Sequence, residues 1–235
     1  MRAVKGSAMS ASAGKTVSAR PDADVRDVLE ALERAGSPKF RADLGPRYGI
    51  IAKKAWGVPM AAIKAIAKPL DRNHELAREL WATGWYEARL LASMVGDPAV
   101  QTGAEMNRWC KDLDNWAVAD TLCFNLWDRS PHAFAKVRAW AGRKPEFERR
   151  AAFALLASYA LHRRGADAEY LASLELIEAA ASDQRNFVKK GVSWALRSVG
   201  RRVRALALAL ARRLSTSEDP TERWIGGDAL KDLAK

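Results

Sequence analysis

The sequence predicts an all-α protein, an α-solenoid of stacked antiparallel helical pairs with a concave basic face. Three observations carry that prediction. Apolar residues recur at the three- and four-residue spacing of a helix along nearly the whole chain after its N-terminal tail. Gly, Pro or Asp-Pro separates most of these stretches, at Gly84, Asp97-Pro98, Gly142, Gly165, Gly200 and Asp219-Pro220. No stretch shows the sustained period-two alternation of a half-buried strand.

In chain order, residues 1–22 are rich in Ser, Ala and Gly with several cations, and read as a disordered tail. They lack the apolar centre of a secretory signal, although their composition leaves a transit peptide open. Residues 23–235 read as one helical domain. Val25, Val28, Leu29 and Leu32 form a first stripe, closed by Gly36-Ser37-Pro38. Ala62, Ile63, Ile66, Ala67 and Leu70 form a second, entered at Pro59 and broken at Pro69. Further helices are expected in HELARELWATG, WYEARLLASMVG, NWAVADTLCFNLW, HAFAKVRAWAG, EFERRAAFALLASYALHRRG, AEYLASLELIEAAA, NFVKKGVSWALRSVG and RRVRALALALARRL. Short joints between so many helices point to stacked pairs of the HEAT kind. No sharp sequence repeat is visible, so a compact helical bundle stays open.

Hydrophobic residues make up 49% and charged residues 29% of the 235, a globular composition without a bilayer-spanning run. Cys110 and Cys123 are too few for a disulfide scaffold and lack CxxC spacing, and are expected as reduced, half-buried thiols. His74, His132 and His162 are scattered, so neither a metal nor another cofactor is expected. The expected setting is cytoplasmic. The formal net charge of +11 favours nucleic acid or an anionic membrane as partner.

The positive charge is clustered. From Arg185 to Arg213 there are nine cations and no acid. Lys190, Trp194 and Arg197 fall at i, i+4 and i+7, within about 60° of one another around a helix, a face suited to a nucleic-acid backbone. Arg201 continues that run. Arg149 and Arg150 stand in the first turns of the EFERRAAF helix, where cations oppose the helix dipole and a specific anionic partner is implied. Against this background DNWAVAD is unusual, because Trp116 and Asp120 share one helix face. A carboxylate beside an aromatic wall in a basic groove suits hydrolysis of an N-glycosidic bond, whose transition state places positive charge on a sugar. The plain alternative for Asp120 is a cap or a partner for an arginine. Most other tryptophans, among them Trp81, Trp85, Trp127 and Trp140, are assigned to the core.

Three motifs in order, DNWAVAD, EFERRAAF and NFVKKGVSWALR, resemble those of the DNA alkylation repair glycosylases of the AlkD type, HEAT-like solenoids that remove alkylated purines from DNA. The resemblance runs from about Tyr48 to the C-terminus and includes YGIIAKKAWGVPMAAIKAIAKPL and LWATGWYEARLLASMV. It implies a catalytic set of Trp116, Asp120, Arg150 and Trp194. It also implies a monofunctional glycosylase acting as a monomer on duplex DNA that carries alkylated bases, with Arg197, Lys190, Arg149 and Arg201 on the DNA. The family is taken to act through the backbone and leave the lesion stacked. Asn115 before Trp116, Ala117 after it and Phe147 depart from the family's pattern, and the family's N-terminal tyrosine has Phe40 as its nearest counterpart. A non-catalytic DNA- or RNA-binding solenoid and a protein–protein scaffold are the competing readings.

Overall fold

The computed structural model describes residues 24–235, so the tail read from the sequence lies outside the described residues. Among these residues thirteen α-helices and one 3-10 turn follow one another without a strand. They are α1 (Val25–Arg34), α2 (Pro38–Tyr48), α3 (Met60–Ala67), α4 (His74–Ala82), α5 (Tyr86–Val95), α6 (Gly103–Lys111), α7 (Trp116–Asn125), α8 (Ala133–Trp140), α9 (Glu146–Leu161), α10 (Asp167–Ala179), α11 (Asn186–Val199), α12 (Arg204–Ser215) and α13 (Pro220–Leu233). Many starts are set by short polar side chains. Asp24, Ser37, Asn73, Thr102, Asn115 and Asp219 each accept a first-turn backbone N–H that the helix itself cannot satisfy.

From α3 onward the odd-numbered helices form one layer, each lying on the next through α5, α7, α9, α11 and α13. The even helices α4, α8, α10 and α12 back this layer, against α5, α9, α11 and α13 respectively. Neighbours in the odd layer run parallel. Ser193 on α11 donates to Asp228 on α13 at 2.7 Å, and Arg197 donates to Asp232 at 3.2 Å, both at a separation of 35 residues. Similar intervals recur elsewhere: 30 residues from Asp120 to Arg150, 31 from His74 to Glu105 and from Trp81 to Asp112, and 34 from Arg149 to Asp183. The repeat that the sequence hides is therefore present in its long-range contacts, and the HEAT-like solenoid is the observed fold rather than a compact bundle.

Three helices escape the periodicity reading. In α2, Gly45 and Pro46 interrupt a segment with only Leu44 buried. In α6 the carboxylate Glu105 is buried beside Met106, Trp109 and Cys110, so the inward face does not read as an apolar stripe. In α13, Gly226-Gly227 reads as a break, yet Gly226 is where α12 and α13 touch, since a Cβ there would lie 2.3 Å from Ser215 N. The core is dense with aromatic side chains. Trp127, Trp140, Phe153 and Tyr170 are wholly buried and Trp81 nearly so, while Trp85 is half-buried and stacked on Trp56 with ring centroids 3.7 Å apart. Cys110 and Cys123 are fully buried, not half-buried as expected, because helices cover them on all sides. Burial pushes the Cys110 thiol up to about 12 and Cys123 well above its ordinary value, so neither is a thiolate near neutrality. No helix of the described residues is long and apolar enough to cross a membrane.

Candidate active site

Asn115 caps α7 by accepting the N–H of Val118 at 3.0 Å, which makes Trp116 the first helical residue. The Asn that departs from the family pattern thus starts the helix that carries the site. The Trp116 indole N–H donates to the Tyr48 carbonyl at 2.9 Å, pinning the ring to the end of α2. One turn later stands Asp120, and both its oxygens are taken up by Arg150 of α9, from Nε at 2.9 Å and Nη2 at 2.7 Å. Nη1 of the same guanidinium donates to the Phe187 carbonyl at 2.6 Å in the first turn of α11. The guanidinium carbon lies 5.9 Å from the ring centres of both Trp116 and Phe187. Arg150 is only 6% exposed, behind Asp120, and so positions the carboxylate instead of facing solvent.

This arrangement resolves the misplaced cations at the start of α9. Glu146 and Glu148 lie in the same first turn, Arg150 is paired with Asp120, and Arg149 donates to Asp183 at 2.9 Å. Burial pushes the Asp120 carboxyl above its ordinary value, and the charge and hydrogen bonds of Arg150 pull it back. With two of its roughly four lone-pair sites on Arg150, the carboxylate keeps the others for the cleft in front of it.

That cleft, of about 230 Å³, is lined by Met60 and Lys64 of α3, Met94 of α5, Asp120, Thr121, Phe124 and Asn125 of α7, and Trp194 of α11. Asp120 and Trp194 therefore border one space. A second hollow of about 180 Å³, almost wholly apolar, shares Met60, Asp120 and Thr121 with the first and runs back past Trp116, Phe40 and Tyr48. Phe40 and Tyr48 stand together at its wall, ring centroids 5.7 Å apart, so the end of α2 supplies a tyrosine beside the position read as Phe40.

The residues expected on DNA divide into two groups. Lys190 and Arg201 are exposed, with no side-chain ion pair among the described residues. Arg149 and Arg197 are not free cations: Arg149 is held by Asp183, and Arg197 by Asp232 at 3.2 Å and Asp228 at 3.8 Å. Their partners lie 31 to 35 residues further on, beyond the reach of a local reading. Residues the sequence reading missed include Lys64 and Phe124. Phe124 continues the Trp116–Asp120 stripe by one further turn and could have been found by that spacing, whereas nothing local marks Lys64. Among the described residues, no group of three or more His, Cys, Asp or Glu is placed to hold a metal ion.

A layer of parallel helices that sets Asp120, Trp194 and Lys64 around one cleft defines a helical-repeat protein with a charged and aromatic candidate site on that layer. The chain belongs to the DNA alkylation repair enzyme family, whose pattern matches residues 28–233. Its fold is similar to a solved structure from "a new family of proteins related to the HEAT-like repeat DNA glycosylases with affinity for branched DNA structures". The TM-score is 0.74 at 20% identity, over 90% of this chain and 96% of that one. No curated protein matches the chain.

Proposed function

We propose that the protein is a DNA glycosylase that hydrolyses the N-glycosidic bond of N3- or N7-alkylated purines in duplex DNA. One observation carries this reading: Asp120 is fixed at the rim of a cleft it shares with Trp194, with Trp116 one turn away on the same helix. Alkylation leaves the base cationic and a good leaving group, so no general acid is needed. As the bond breaks, positive charge grows on the sugar. Asp120 stabilises that charge and orients the attacking water, and because its geometry is preset by Arg150 no reorganisation is needed at the moment of reaction. Trp116 and Trp194 flank the sugar and exclude bulk water. Lys190 and Arg201 hold phosphates without reading sequence. The chemistry uses no cofactor and one protein chain, and the product is an abasic site.

A second reading, DNA binding without chemistry, is favoured by the engagement of both Asp120 oxygens with Arg150 and by the branched-DNA affinity described for the structural relative. Incubation with duplex DNA carrying N7-methylguanine or N3-methyladenine, with detection of free base, separates the two. Free base that disappears in Asp120→Asn supports the glycosylase. Tight binding with no release supports the binder.

A further inference from the structure

Of the residues lining the cleft at Asp120, only two are charged: Asp120 itself and Lys64. Asp120 is already matched from behind by Arg150, whereas Lys64 is exposed and makes no ion pair among the described residues. The cleft by itself therefore carries an unmatched ammonium, in a place where the proposed reaction builds positive charge on a sugar. Such a charge opposes the transition state unless an anion arrives with the substrate.

Lys64 is firmly placed. In α3, Ile63 and Ala67 are buried, while Met60 and Lys64, one turn apart, share the face that borders the cleft. The entry to α3 is tied to α5: the buried carboxylate of Glu87 accepts the backbone N–H groups of Gly57 at 2.7 Å and Val58 at 3.1 Å, just ahead of Met60. In the odd layer α3 and α11 lie two steps either side of α7, yet Lys64 and Trp194 line the same cleft. The layer thus curves around Asp120, with Lys64 on the α3 side and Trp194 on the α11 side.

We propose that Lys64 receives the phosphate adjoining the sugar that sits at Asp120, and that this phosphate makes the cleft fit for a cation. The inference rests on the seating of the sugar proposed above. A deoxyribose within DNA carries a phosphate on each side, so one seated against Asp120 brings an anion into the cleft with it. An ammonium is a compact point charge with three donors and suits a phosphate oxygen. The pairing cancels the charge of Lys64 and leaves Asp120 to act on the charge that develops. Because the contact is to backbone alone, it selects a nucleotide within a strand over a lone nucleoside, reads no sequence and leaves the bases stacked.

The test replaces one charged linkage by a neutral methylphosphonate, 3′ or 5′ to the target nucleotide, and crosses that change with Lys64→Met. Affinity is measured on duplexes that carry a tetrahydrofuran abasic analogue. Removing either partner is expected to weaken binding about tenfold at one of the two linkages, and removing both to cost no more than removing one. A methylphosphonate several linkages away should instead add to the loss from Lys64→Met, and Lys64→Arg should bind nearly as the parent does. Base release from the matching N7-methylguanine duplex at saturating protein gives a second readout. On the coupled methylphosphonate duplex, Lys64→Met should release base several-fold faster than the parent, because the parent keeps an unmatched ammonium beside the sugar. Additive losses in affinity at both linkages, or a parent at least as fast as Lys64→Met on that duplex, overturns the proposal and leaves the glycosylase reading standing. No base release from any duplex overturns the glycosylase reading, while the affinity cycle still decides the contact. A parent that binds no duplex at all overturns both.

Discussion

Asp120→Asn is the natural test of the chemistry, and the structure predicts that it will do two things at once. The substitution keeps the shape of the side chain but removes the only carboxylate paired with Arg150 among the described residues, and Arg150 is 6% exposed. The new amide can accept one of the two guanidinium hydrogen bonds, but its NH2 group faces the other donor. Removing one partner of a buried pair typically costs 3–5 kcal/mol, and with the Asp120 side chain 20% exposed we expect the low end, about 3 kcal/mol. For a chain of this size that lowers Tm by about 6–12 °C. The catalytic loss, separately, should be about 10²–10³-fold in rate. Thermal melts and single-turnover base release well below the melting range read the two effects apart. Asp120→Asn combined with Arg150→Met should recover most of the lost stability, because the stranded charge has gone, while base release stays low. A melt within about 1 °C of the parent for Asp120→Asn would show that the pair is not the buried element described. Base release at the parent rate would show that Asp120 is not catalytic.

Three further outcomes follow from the same geometry. The logarithm of DNA affinity should fall with the logarithm of salt at about 0.9 per phosphate contact, and Lys190→Ala or Arg201→Ala should each flatten the slope by about one unit. Arg197→Ala should change it less, since Asp228 and Asp232 already neutralise that cation; a slope indifferent to Lys190 and Arg201 would remove them from the interface. Base release needs the ionised form of Asp120, so its rate should fall as pH drops through a pKa that burial has raised above the ordinary 3.8, and an identical acid limb in Asp120→Asn would assign it elsewhere. Burial alone would raise Glu105, but hydrogen bonds from Arg78 and His74 hold it below its ordinary value. Its contribution to stability is therefore complete above the unfolded pKa of about 4.3 and lost as pH falls through the lower folded value, and Glu105→Gln should flatten acid unfolding in that window.

Much of the fold could be read locally because each long helix buries one stripe, and that stripe appears in the sequence at its own period. Helix α2 buries only Leu44, α6 turns the carboxylate Glu105 inward and α13 contains a glycine required by α12, and no window along one chain segment reveals the neighbour. The site divides in the same way. Trp116 and Asp120 were legible because four residues make one turn, and Phe124 was available by the same rule. The pairing of Arg150 with Asp120, and the neutralisation of Arg149 and Arg197, depend on how one repeat is set against the next. Contacts at those intervals leave no trace in local spacing. Charge counting along Arg185–Arg213 accordingly overstated the number of cations open to a phosphate.

Arg150 also has a mechanical meaning. Its side chain joins three successive helices of the odd layer at one point: it grows from α9, grips the carboxylate of α7 and holds a carbonyl of α11. A stack in which each repeat touches only its neighbours flexes like a spring, and a clamp spanning three coils removes that compliance locally. When a stiff duplex is drawn against such a surface, the strain of mutual fitting is displaced to the ends of the spring. Under the function proposed above, the geometry around Asp120 is then the part of the surface that yields least.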